Sequence, residues 1–109
     1  MAQEKNSYLS FELTNGDTVQ LTLSFYRLYQ LRTSDPNQYK EYFRVTEKGL
    51  KDEFDVWTQI YTAYRCANLE AEELAYPTFE DFLMVVPDGR ETMWNVYFDL
   101  TGRKKKKVE

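Results

Sequence analysis

From Tyr8 to Phe25 the chain alternates apolar and polar residues on both sides of Asn15-Gly16-Asp17. Leu9, Phe11 and Leu13 lead into the turn, and Val19, Leu21, Leu23 and Phe25 lead out of it. Period-two alternation about such a turn predicts an antiparallel hairpin with one apolar face. The register follows from which residues must share that face. A two-residue loop at Asn15-Gly16 sets Leu13 opposite Thr18 and mixes apolar with polar. A three-residue loop over 15–17 sets Leu13 opposite Val19, Phe11 opposite Leu21 and Leu9 opposite Leu23, and is preferred. A lone hairpin is marginally stable, so helices are expected to cover its apolar side.

The rest of the chain reads as helices. Ser24 can cap a first one carrying Phe25, Leu28, Tyr29 and Arg32. Asp35-Pro36 with Gln38 predicts a second start, with a stripe of Tyr39, Tyr42, Phe43 and Thr46 and a stop at Gly49. Asp52, Glu53 and Asp55 crowd a third start, where the helix dipole favours anions. Phe54, Trp57, Ile60, Tyr61, Tyr64 and Ala67 then recur at three and four, and this longest helix is expected to end near 70–73. Pro77 breaks the pattern. Thr78 with Asp81 caps a helix bearing Phe79, Phe82, Leu83 and Val86. Asp88 with Glu91 caps a last one bearing Met93, Trp94, Tyr97, Phe98 and Leu100, closed by Gly102. The expectation is an α+β domain over residues 1–102, an N-terminal β-hairpin followed by a compact bundle of about five helices, with a basic flexible tail over 103–109. Connections are short and no internal repeat is visible.

Composition narrows the chemistry. With no histidine and one cysteine there is no ligand set for structural zinc, no internal disulfide and no imidazole to activate a nucleophile. Cys66, late in the third helix, reads as a small buried hydrophobe. The carboxylate groups Asp52/Glu53/Asp55, Glu80/Asp81 and Asp88/Glu91 all fall at predicted helix starts, so capping explains them better than acid–base or metal work. Gly16, Gly49, Gly89 and Gly102 are isolated and build no phosphate cradle. The expectation is therefore no catalytic residue, no cofactor and no metal: a non-enzymatic protein. The polar Met1–Asn6 lead and the lack of an apolar run of about 18 residues predict a cytoplasmic, non-membrane chain.

Charge is split. Residues 103–109 hold five bases and one acid, a net of +4, and the remaining 102 hold nine bases and 17 acids, a net of −8. An acidic body disfavours nucleic acid as a partner. Among eighteen aromatics, Tyr26, Tyr29, Tyr39, Tyr42, Tyr61, Tyr64, Tyr76 and Tyr97 could stack on bases, pack a core with hydroxyls at the surface, or build a protein-binding face. The run Lys104, Lys105, Lys106 and Lys107 reads either as a solvated tail or as a site for an acidic partner or nucleic acid.

Three stretches carry a resemblance. They are Leu28-Tyr29-Gln30-Leu31-Arg32 followed by Pro36, Tyr39 and Tyr42; Ile60-Tyr61-Thr62-Ala63-Tyr64-Arg65-Cys66-Ala67-Asn68-Leu69; and Phe79-Glu80-Asp81-Phe82-Leu83 followed by Pro87-Asp88. In order and spacing, across residues 20–101, they resemble the tail assembly chaperones of long-tailed phages and prophages of Gram-positive bacteria. The hairpin maps onto no motif of that family. The resemblance implies a protein of the host cytoplasm, absent from the mature virion. Such a protein keeps the tape-measure protein soluble and helps recruit tail-tube subunits around it. It also implies a frameshifted longer form of the same chain as a partner, and is compatible with a homo-oligomer. This chain would be the short form, and Lys104 to Lys107 would lie where the ribosome slips on adenine-rich codons. A client with helical apolar stripes needs an aromatic or methionine-bearing groove. Phe79, Phe82, Met84, Met93, Trp94 and Tyr97, on the last two helices, are the candidate client face, with packing on the long helix as the alternative. The competing function is a phage accessory protein that binds nucleic acid through the basic tail.

Overall fold

The computed structural model describes residues 8–70 and 78–102. Two strands, β1 (Leu9–Glu12) and β2 (Thr18–Leu21), are followed by five helices: α1 (Phe25–Ser34), α2 (Pro36–Lys48), α3 (Glu53–Ala67), α4 (Phe79–Leu83) and α5 (Arg90–Thr101). This is the expected α+β arrangement of a hairpin and five helices.

The hairpin's register differs from the expected one by two residues. Phe11 faces Val19 and Leu9 faces Leu21. The loop still has three residues, but they are 14–16: the Leu13 amide donates to the Asp17 carbonyl at 2.8 Å, and the Gly16 amide donates to the Leu13 carbonyl at 3.1 Å. The cause lies in the last loop residue, which must take positive φ. Gly16 does so at 97°, whereas a 15–17 loop would ask it of Asp17. Asn15 Oδ1 accepts from the Asp17 amide at 3.0 Å and braces the turn. Because the slip is two residues, every apolar side chain keeps its face.

Local capping sets the helix starts. Ser24 accepts from the Arg27 amide, Asp35 from that of Gln38, Asp52 from those of Phe54 and Asp55, and Thr78 from that of Asp81. Two boundaries depart from expectation. The last helix begins on Gly89, with no side-chain cap, so Asp88 is not its cap. The long helix stops at Ala67, where the Asn68 side chain donates to the Tyr64 carbonyl at 2.7 Å and draws the backbone out of the helix. The Pro77 break lies outside the described residues.

Helix α3 is the axis of the molecule. Ten of its fifteen residues are buried, the polar Asp55, Gln59 and Thr62 among them, because it is covered from two sides. One side meets the hairpin, α4 and α5 in the main core, where Phe11, Leu21, Ile60, Tyr61, Tyr64, Phe82 and Met93 pack together. Rings there are in direct contact: Tyr64 stacks on Phe82 at 5.3 Å between centroids, and Phe79 meets Tyr61 edge-on at 5.5 Å. The hairpin turn is pinned to the α4–α5 connection, because both the Thr14 amide and its hydroxyl donate to the Val85 carbonyl, at 2.8 and 3.0 Å. The other side of α3 carries α1 and α2 on a smaller core of Leu28, Leu31 and Cys66, with Leu23, Tyr39, Tyr42 and Leu69 packed around it.

Polar ties hold that second side in place. Asp35 closes α1 through its amide, caps α2 through Oδ1, and pairs through Oδ2 with Arg65 of α3 at 2.8 Å. Asp55 of α3 accepts from the Lys51 amide at 2.9 Å and from Arg44 of α2 at 3.5 Å. Gln38 donates to Thr62 Oγ1 at 3.0 Å, and Gln59 to Thr46 Oγ1 at 3.2 Å.

Candidate partner-binding surface

The stripe Tyr39, Tyr42, Phe43 and Thr46 lines a groove between α1 and α2. Phe25, Leu28, Tyr29 and Arg32 form the opposite wall, and the groove encloses about 270 Å³. It runs into a larger cleft of about 490 Å³ through the shared residues Phe25, Tyr42 and Thr46; Val45, Leu50, Gln59, Tyr97 and Leu100 are among the other walls of that cleft. The core residue of α2 is Val45.

Most of the exposed rings lie on α1 and α2. Phe25 is 88% exposed, Tyr29 60% and Phe43 47% on the groove walls, with Tyr26 at 60% beside them on α1; Phe54, at the start of α3, is 54% exposed away from the groove. Single exposed apolar residues are ordinary, but several bulky rings around one concave feature mark a contact surface. Tyr39 stacks on Phe43 at 6.1 Å and tilts against Tyr42 at 6.0 Å, so the α2 wall is a continuous layer of rings. Burial pushes the Tyr42 hydroxyl's pKa up despite a hydrogen bond to Thr46 that pulls it down. On the α1 wall the Arg32 guanidinium lies 5.4 Å from the centre of the Tyr29 ring.

The arginines differ in their partners. Arg27 pairs with Glu70 at 3.0 Å, Arg44 with Glu41 and Asp55 at 3.1 and 3.5 Å, Arg65 with Asp35 at 2.8 Å, and Arg90 with Glu53 at 2.6 Å. Glu53, gripped by Arg90, has its carboxyl pKa held below the usual range. Among the described residues, Arg32 is the one arginine with no carboxylate partner. Charge is also uneven around the molecule. Residues 25–48 hold five bases and three acids, a net of +2, while residues 78–102 hold one base and five acids, a net of −4.

The six residues singled out on the last two helices do not form one open face. Phe82, Met93 and Tyr97 are buried in the main core, at 0, 1 and 7% exposure. Phe79 and Trp94 are half-buried and pack against that core, and Met84 alone stands well exposed. Lys104 to Lys107 lie outside the described residues. The exposed set left out of that candidate client face is Phe25, Tyr26, Tyr29 and Phe43, with Phe54 apart from them on α3. Its signal is visible in α1, where Phe25, Tyr26, Leu28, Tyr29 and Leu31 are too many apolar residues for the one face that α3 can cover.

Cys66 is fully buried. Burial raises its thiol pKa to about 12, against the pull of Arg27 and Arg65, so it is a packing group and not a nucleophile at neutral pH. Of the carboxylates grouped at the expected helix starts, Asp52 caps α3, its Oδ1 accepting from Phe54 and Asp55 at 3.0 and 3.2 Å; Asp55 accepts from the Lys51 amide, Glu53 pairs with Arg90, and Asp88 does not cap α5. No helix among the described residues is long and apolar enough to cross a membrane. Comparison with protein-family models, with curated proteins and with solved structures gives no match.

Proposed function

We propose that this chain is a non-enzymatic tail assembly chaperone that binds the tape-measure protein in the host cytoplasm and helps recruit tail-tube subunits to it. One observation carries the reading: Phe25, Tyr29 and Phe43 stand open on the walls of the α1–α2 groove although the core closes without them. A chain that binds apolar helical stripes needs such a surface, and acidic charge elsewhere keeps the loaded complex soluble. The resemblance of residues 20–101 to the phage chaperones supplies the identity of the client. On this reading the chain is the short product of a frameshifted gene, and the codons for Lys104 to Lys107 are the slip site.

Co-expression with a tape-measure protein tests the reading. The wild-type chain is expected to move that protein from the pellet to the supernatant, and Tyr29→Asp is expected to lose this effect while retaining the helical circular-dichroism spectrum. Insolubility of the client beside the wild-type chain refutes the reading. The frameshift part stands or falls on the gene: AAG-rich lysine codons with no overlapping downstream frame remove it.

A further inference from the structure

We infer that the α1–α2 groove takes an amphipathic helix whose apolar stripe is flanked by carboxylates, one of which pairs with Arg32. The inference rests on the binding role proposed above and names the chemistry of the segment bound.

The shape comes first. The groove lies between two adjoining helices, of ten and thirteen residues. Its lining runs from Phe25 to Arg32 on one wall and from Tyr39 to Thr46 on the other, so at 1.5 Å per residue each wall is roughly 10 Å long, enough for about two turns of a third helix. Its walls present mostly apolar surface and, being helices, no free backbone edge, so an extended strand would find no ladder to pair its backbone groups with, whereas a helix satisfies its own. Side chains at i, i+3, i+4 and i+7 would enter between Phe25 and Tyr29 on one wall and Tyr39 and Phe43 on the other.

Charge then selects among apolar helices. Arg32 is itself a wall of the groove, held over Tyr29, and it lacks the carboxylate that each of the other described arginines has. A helix laid in the groove covers this guanidinium. A desolvated arginine facing a lysine or an apolar residue is costly, and one facing a carboxylate gains a charge-assisted bond. The net of +2 over residues 25–48, set against −8 for residues 1–102 as a whole, makes this the part of the surface where an acidic segment meets the least repulsion. A nucleic-acid strand stacking on the same rings would meet the same local charge, and the third probe below separates it from a peptide.

The test uses the full chain and three probes. Two are synthetic peptides of about 18 residues with leucines at i, i+3, i+4 and i+7, flanked in one by glutamates and in the other by lysines. The third is an oligothymidylate of similar length. Affinities are measured by fluorescence anisotropy, and the site by amide NMR shifts. The glutamate peptide is expected to bind at least about fivefold tighter than the lysine peptide, with shifts on α1 and α2. Arg32→Glu is expected to erase or reverse that preference, and Arg32→Lys to keep part of it. Phe25→Asp is expected to weaken both peptides. Equal affinities, a preference untouched by Arg32→Glu, shifts centred on α4 and α5, tighter binding of the oligonucleotide in the groove, or self-association that Arg32→Glu abolishes would each overturn the inference. If the peptide preference holds and no tape-measure protein is solubilised, the functional reading fails and this one stands. If the client is solubilised and both peptides bind alike, only this one fails.

Discussion

Helix α3 and the α1–α2 pair are built from the same kinds of residue and treat them in opposite ways. In α3, Tyr61 and Tyr64 are at most 9% exposed and lie against Phe82. In α1, Tyr26 and Tyr29 are 60% exposed and Phe25 is 88%. Helix α3 buries ten of fifteen residues, α1 two of ten and α2 one of thirteen. Residue type alone therefore does not decide whether a ring is structural. Position relative to the central helix does: α3 is covered on both sides, while α1 and α2 are covered on one side only.

The sharpest way to break this contrast is to shorten a ring on the covered side. Phe82→Ala removes a fully buried side chain that touches both Tyr61 and Tyr64. Urea unfolding is expected to show a loss of about 3–5 kcal/mol. A loss below ~1 kcal/mol would mean that the α3–α4 contact is not the core it is taken for.

A smaller effect is expected where the two sides are tied together. Asp55→Ala leaves the Lys51 amide unpaired and strips a partner from Arg44. It should lower stability by about 1–3 kcal/mol in the same assay. Asp55→Asn keeps an acceptor for the amide and should cost less than Asp55→Ala. Equal losses would mean that the charge pairing with Arg44 carries the tie and the amide bond does not.

Alkaline pH probes the smaller core specifically. The Cys66 thiol has its pKa raised from 9.0 to about 12 by burial. Below pH 9 both folded and unfolded chains hold the proton, so the stabilisation is fully present. Above it the unfolded chain releases the proton while the folded one keeps it, and stability falls as pH rises toward the folded value. The expected slope is ~1.4 kcal/mol per pH unit for this thiol. Tyr42, also raised by burial, adds in the same direction at higher pH. Thermal unfolding between pH 9 and 11 should fall more steeply in the wild type than in Cys66→Ala. Parallel slopes would place the alkaline sensitivity elsewhere.

These regions also differ in how well the sequence announced them. Caps are local, so Ser24, Asp35-Pro36, Asp52 and Thr78 marked four helix starts correctly. The hairpin's apolar face was equally plain, but two registers satisfy the same alternation. Only the demand for positive φ at Gly16 separates them. Asp88 misled because its capping pattern was present one residue before the real start at Gly89. The exposed face was the least legible part. Spacing at three and four shows that a helix has an apolar side, and it is silent on which helix finds a partner within the chain. Phe82, Met93 and Tyr97 found one in α3, and Phe25, Tyr29 and Phe43 did not.

The smallest expected effect on stability belongs to the open rings, and it sharpens the comparison most. Phe25 occupies the first position of α1 with 88% of its surface exposed, and Phe43 stands 47% exposed on α2. Burial energy scales with the apolar area removed from water, so a ring left in water contributes little to folding. In the double variant, Phe25→Ser is expected to shift unfolding by no more than about 0.5 kcal/mol and Phe43→Ser, whose ring is half-buried on Tyr39, by about 1 kcal/mol, while the loss of exposed apolar surface raises solubility. The same double variant is expected to lose most of its ability to hold a tape-measure protein in solution, because those rings would then be the surface that the client covers. Loss of several kcal/mol would instead make the rings structural, and the contrast between α3 and the α1–α2 pair would be one of degree. Unchanged stability together with unchanged client binding would leave the exposed aromatics without a role in this interaction and move the search to Met84 and the acidic α4–α5 side.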